Sequence, residues 1–135
     1  MEHPKLGDKF YPQTDPYDKG LRDIFLASAE RLEVGGFCKE GVYCFLPGPR
    51  YESRGDINLL RALGGIDLVG MSTVPEVLAL KQMRGDQVRI LGVSTVTNKA
   101  AGIGKAEPSH QEVKEAGDRA APRLKSIIRE VLKSI

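Results

Sequence analysis

The chain has 135 residues, 41% of them hydrophobic, and 20 basic against 18 acidic side chains for a net charge of +2. This is the length of about one globular domain, and because the basic residues are scattered, neither nucleic acid nor an anionic membrane is the expected partner. Two cysteines, Cys38 and Cys44, lack CxxC spacing or a nearby histidine pair, and MEHPKLGDKF is polar rather than a signal peptide, so a reduced, cytosolic protein without zinc, disulfides or a membrane span is expected.

Residues 1–15 are turn-rich, with Pro4, Gly7, Pro12 and Asp15. Asp15-Pro16 predicts a helix start, a capping side chain followed by proline at the first helical position; Leu21, Ile24, Phe25, Ala29 and Leu32 then recur at helical spacing until Gly35-Gly36. Phe37-Cys38 and Gly41 to Leu46 read as strand, with Lys39-Glu40-Gly41 as a hairpin turn. Ser53 caps a helix carrying Ile57, Leu59, Leu60 and Leu63, ended by Gly64-Gly65. Ile66 to Gly70 reads as a short buried strand, and Thr73-Val74-Pro75-Glu76 opens a helix through Val77, Leu78, Leu80 and Met83. Val88 to Val96 is apolar on both faces, as a central parallel strand is. Ser109-His110-Gln111-Glu112 is a capping box, and the long helix behind it sets Val113, Ala116, Ala120, Leu124, Ile127, Val131 and Ile135 near one face, with Pro122 interrupting and kinking it.

Alternating strands and helices predict an α/β fold, a mixed and largely parallel sheet flanked by helices, with the strand carboxyl ends at one rim. Three segments meet there: Tyr51-Glu52, Met71-Ser72 and Thr97-Asn98. An aromatic face, a carboxylate, a thioether, hydroxyls and an amide suit a flat heterocycle with polar edges. Each residue also has a plainer role. Glu52 would be favourable at a helix N-terminus by the dipole alone, Asn98 is a common strand-ending turn residue, Met71 suits a core, and Ser72-Thr73 suits a cap. His110, in a first helical turn, carries no message by itself. No metal constellation, nucleophile elbow or Gly-rich phosphate loop appears in the sequence. Spacing alone reaches a small-molecule site and stops.

The runs GVYCFLPGPRYES, DLVGMSTVPEV and GVSTVTNKAAG, with LGDKFYPQTDPYDKGLR before them and KAEPSHQEVKEAG after, resemble the trimeric purine nucleoside phosphorylases over essentially the whole chain. The resemblance implies phosphorolysis of inosine- or guanosine-like nucleosides to free base and ribose 1-phosphate, in cytoplasmic purine salvage, with phosphate as co-substrate and no cofactor. It implies that Glu52 accepts from the purine N1–H and an exocyclic amine, that Asn98 bonds N7 and O6 with Thr97 supporting it, and that Tyr51 packs on the base. Val69 and Gly70 would line the base pocket, Met71 pack under the ribose, Ser72 lie near phosphate, and His110 reach the ribose 5′-hydroxyl. Phe10 would be lent to a neighbouring subunit's sugar site, making the unit an oligomer.

The family's phosphate-binding serine loop, arginine and histidine have no counterpart here. Residues 1–135 are thus expected to form a single nucleoside phosphorylase domain corresponding to the fold's C-terminal half, truncated at its N-terminal half. Two alternatives follow. One is a catalytically inactive purine-binding or assembly module. The other, methylthioadenosine phosphorylase, fits less well because TNK and Glu52 stand where those relatives differ.

Overall fold

A computed structural model of the chain describes residues 10–104 and 109–135. Pro4 and Gly7 of the turn-rich opening, and residues 105–108 of the KAEPSHQEVKEAG run, lie outside the described residues. In chain order the elements are α1 (Lys19–Arg31), a 3₁₀ turn at Gly35–Phe37, β1 (Tyr43–Phe45), α2 (Arg54–Leu63), β2 (Leu68–Gly70), α3 (Val74–Arg84), a second 3₁₀ turn at Gly85–Gln87, and α4 (His110–Leu132). The fold is mixed α/β, as expected.

Helix α1 starts later than Asp15-Pro16. Its cap is Asp18, whose Oδ1 accepts the Leu21 N–H at 2.8 Å. Asp18 is also held from a distance, by the Arg89 guanidinium through two bonds of 2.9 Å, and its own N–H donates to the Ile90 carbonyl at 2.8 Å. Two capable caps compete here, and the one with tertiary partners wins. The helix ends at Arg31 with Leu32 as its C-cap, short of Gly35-Gly36.

The apolar stripe of α1 meets that of α4. Phe25 and Ala29 pack with Ile127 and Val131, and Ile24, Leu26, Val34, Cys38, Leu91 and Leu124 close around them. Ser109 caps α4 by accepting the Glu112 N–H at 3.2 Å. The expected interruption at Pro122 does not occur: α4 is helical through it, since one proline removes a single N–H donor from a long ladder. Ile135 lies past the helix end and is exposed, so the buried face stops at Val131.

Strands β1 and β2 run parallel, with Tyr43 opposite Leu68, Cys44 opposite Val69 and Phe45 opposite Gly70. Backbone bonds extend the pairing at both ends, Asp67 N–H to the Val42 carbonyl at 3.0 Å and Leu46 N–H to the Gly70 carbonyl at 3.0 Å. Two expected strand regions are corrected. Phe37 belongs to a 3₁₀ turn closed by the Cys38 N–H on the Gly35 carbonyl, so no hairpin forms through Lys39-Glu40-Gly41. Val88 to Val96 forms no strand, although its composition suits one. A strand needs a ladder partner, and the backbone bond recorded in this run is the one from Asp18 to Ile90. Ile90 is buried, whereas residues 92–96 are all exposed, Val96 at 72%.

The remaining helices are thinly covered. Ile57 is the buried residue of α2, while Leu59 and Leu63 are exposed; Val77 is the buried residue of α3, while Leu78, Leu80 and Met83 are exposed. No helix among the described residues is long and apolar enough to cross a membrane.

Candidate functional site

The ends of β1 and β2 lie side by side because the strands are parallel, so the loop after β1 and the turn after β2 start from one rim. Gly48 and Met71 join them. Gly48 holds φ +66°, which favours glycine, and its Cα lies so close to the Met71 sulfur that an added Cβ would push the methionine aside. Below them Tyr43 reaches from β1 across β2: its hydroxyl accepts the Ser72 N–H at 3.3 Å and occupies the space a Gly70 side chain would need.

The third segment arrives through a different contact. Gly102, at φ +77°, lies against the Arg54 side chain, so the turn following Asn98 reaches the start of α2, two residues beyond Glu52. Tyr51 is exposed at 44% and Glu52 half-buried; Val69 and Gly70 are half-buried on β2; Met71 and Ser72 are exposed; Thr97 and Asn98 are half-buried. His110 is the first residue of α4 and exposed, and no hydrogen bond among the described residues joins it to this cluster. Phe10 is 83% exposed at the start of the described chain.

The plainer readings fare unequally. The N-terminus of α2 is capped without Glu52. Ser53 Oγ accepts the Asp56 N–H at 3.2 Å, and Asp56 Oδ2 accepts the Ser53 N–H at 2.8 Å, a complete capping box. Asp56 also takes the Arg50 guanidinium at 2.8 Å, and that bond first, then those from Ser53, hold its carboxyl well below the usual carboxylate range. The Arg50 pKa is raised by the same pairing. The Glu52 carboxylate has no hydrogen bond among the described residues, which leaves it as an available acceptor.

Asn98 does shape its own turn, as the plainer reading has it. Its Oδ1 accepts the Thr97 hydroxyl at 2.8 Å and its Nδ2 donates to the Lys99 carbonyl at 3.2 Å. An amide offers two N–H donors and two lone pairs, so one of each is left over, and the Lys99 carbonyl, which can only accept, sets which end faces which way.

Thr73 is the N-cap of α3 but makes no side-chain capping bond, contrary to a simple capping role. It sits at φ +75°, ψ −57°, with the Val74 N–H bonding the Ser72 carbonyl at 2.8 Å. This is the rarer, strained form of γ-turn, here at a β-branched residue. Strain of this kind collects at ligand-binding turns.

Sequence reasoning did not single out Arg50, Asp56, Tyr43 or Arg54. Ser-x-x-Asp spacing could have pointed to Asp56; the contacts of Tyr43 and Arg54 span long sequence separations and leave no local signal.

The rim at the ends of the two parallel strands thus carries the Met71-Ser72 turn and the loop with the unbonded Glu52 carboxylate, and the turn after Asn98 reaches the start of α2, an arrangement at the strand ends where α/β folds bind ligands. Residues 2–133 match the Phosphorylase superfamily, and the chain belongs to it. Its relatives include the purine nucleoside phosphorylase of Mycobacterium tuberculosis, 43% identical over 129 residues, and that of Bos taurus, 36% identical over 135 residues. These alignments take in 96% and 97% of this chain but 44% and 45% of the relatives. Among solved structures, Schistosoma purine nucleoside phosphorylase in complex with hypoxanthine superposes with a TM-score of 0.87 at 30% identity, over 96% of this chain and 46% of that one. The Schistosoma mansoni enzyme in complex with inosine gives 0.87 at the same identity. The chain thus spans less than half the length of the relatives it matches.

Proposed function

We propose that this chain carries the base- and ribose-recognising part of a purine nucleoside phosphorylase for 6-oxopurine nucleosides. The observation that supports it most is the convergence of the Glu52 loop, the Met71-Ser72 turn and the Asn98 turn, in a chain alignable with a hypoxanthine complex. In this reading Glu52 accepts the ring N1–H, the spare Asn98 amide groups meet N7 and O6 with Thr97 holding the amide, and Tyr51 stacks on the base. Val69 and Gly70 line the base pocket, Met71 packs on the ribose, Ser72 approaches phosphate, and His110 meets the 5′-hydroxyl.

The chemistry would follow from that edge recognition. A phosphate oxygen bonds to C1′ as the C1′–N9 bond breaks, and the bonding pair leaves with the base. Negative charge therefore grows on the purine as the sugar becomes oxocarbenium-like. A donor aimed at N7 is stronger in the transition state than in the ground state, which is what accelerates a reaction. The same reading carries phosphate as co-substrate, a role in purine salvage, a cytoplasmic setting and a trimer to which Phe10 contributes across subunits.

The test is hypoxanthine titration by calorimetry together with phosphate-dependent release of hypoxanthine from inosine. Glu52→Ala should weaken hypoxanthine binding by at least about tenfold, the scale of a lost charge-assisted hydrogen bond, with the circular dichroism spectrum unchanged. Unaltered affinity would overturn the site. Turnover by the 135-residue chain assigns it phosphorolysis, whereas binding without turnover favours a purine-binding module.

A further inference from the structure

The loop that presents Glu52 also presents a cation two residues earlier. Arg50 and Glu52 flank Tyr51 in sequence, and the Arg50 Nη1 already donates to the Tyr51 carbonyl at 3.0 Å. A guanidinium so close is the natural partner for the Glu52 carboxylate, and a bidentate pair would occupy both of its oxygens. The structure shows the guanidinium turned elsewhere. Its Nη1 bonds Asp56 Oδ2 at 2.8 Å, and that same oxygen receives the Ser53 N–H and the Ser53 hydroxyl, each at 2.8 Å. Asp56 competes well because its carboxylate is fixed in place before Arg50 arrives. It lies in the first turn of α2, where the dipole favours an anion, and the capping box holds its rotamer. Glu52 has no such scaffold.

We propose that Asp56 is a positioning residue of the base site: by holding the Arg50 guanidinium, it keeps the Glu52 carboxylate free to accept from a ring N–H of a 6-oxopurine. The inference rests on the reading of Glu52 as the base acceptor. It adds that two anions, one structural and one recognising, compete for the Arg50 guanidinium, and that α2's capping decides which has it. A capping residue here sets the charge state of the pocket's edge as well as the start of a helix.

The proposal predicts a rescue that a purely structural Asp56 would not show. Asp56→Asn should keep the helix but release Arg50 to Glu52 and weaken hypoxanthine binding about fivefold, the worth of one exposed ion pair in competition. Adding Arg50→Gln to Asp56→Asn should restore wild-type affinity, and Arg50→Gln alone should leave it unchanged. If the double variant stays as weak as Asp56→Asn, or if Asp56→Asn binds normally, the proposal is wrong, although the Glu52→Ala result would still stand. A measurement without ligand keeps the two readings separate. In Asp56→Asn, the side-chain N–H resonances of Arg50 in ¹⁵N spectra should shift strongly when Glu52→Gln is added, and by much less in the wild-type background, where Glu52 acts on Arg50 through its charge but without a hydrogen bond. Arg50 resonances insensitive to Glu52 in both backgrounds would overturn the proposal whether or not the chain binds a purine.

Discussion

Helices α1 and α4 bury Phe25, Ala29, Ile127 and Val131 against one another, whereas the β1-α2-β2-α3 region that carries the rim buries little beyond Ile57 and Val77. The difference divides labour. The helix pair has a core of the ordinary kind, with apolar side chains filling one contiguous space. The rim region is held by the short β1–β2 ladder and a few point contacts: Gly48 on Met71, Tyr43 on Ser72, Gly102 on Arg54, and the knot of Arg50, Asp56 and Ser53. The proposed site lies in the less densely packed part, where small substitutions alter geometry more readily than stability.

The largest expected effect tests this asymmetry directly. Ile127 is 2% exposed at the centre of the helix pair, and Ile127→Ala should cost about 4 kcal/mol in urea unfolding, towards the upper end of isoleucine truncations. Ile57, 4% exposed in the thinly covered α2, should cost only about 2 kcal/mol on truncation to Ala, because loosely supported surroundings collapse into the space more readily. Equal losses would erase the distinction between the two regions.

A smaller effect concerns the clamp that ties the start of α1 to the Val88 to Val96 run. The Arg89 bonds, then the Leu21 N–H, lower the Asp18 pKa to about 2, from an ordinary value of about 3.9. A depressed carboxylate contributes stability that is fully present above its unfolded pKa and is lost as pH falls through its folded value. Wild type should therefore lose stability between about pH 4 and pH 2 more steeply than Asp18→Asn. Parallel acid titrations of the two would remove Asp18 from the account.

The smallest effect is at the γ-turn. Thr73→Gly should raise the urea midpoint slightly, a gain below about 1 kcal/mol, because relief of the positive-φ strain is partly offset by glycine's greater chain entropy. A lowered midpoint would mean that Thr73 is held by packing rather than strained.

Much of this organisation was legible in the residues. Ser53 and Ser109 marked true helix starts because a cap acts through its own first turn, and Met71 and Ser72 follow directly from the end of β2, side by side with the loop that leaves β1, because the pairing is parallel. Asp15-Pro16 misled because Asp18 carries an equally good cap and its advantage comes from Arg89, 71 positions away. The Val88 to Val96 run misled because apolar composition expresses a preference for pairing without supplying the partner. Asn98 could be placed at a turn, but the two bonds that orient its amide depend on a geometry no spacing encodes.

Residues 92–96 stay in water, and so do Leu59, Leu63, Leu80 and Met83 on the thinly covered helices. Less surface is then newly hydrated on unfolding, and the heat-capacity increment and the denaturant slope both scale with that area. The stability of this chain should accordingly form a shallow dome in temperature: low at its maximum, but changing little over a broad range on either side.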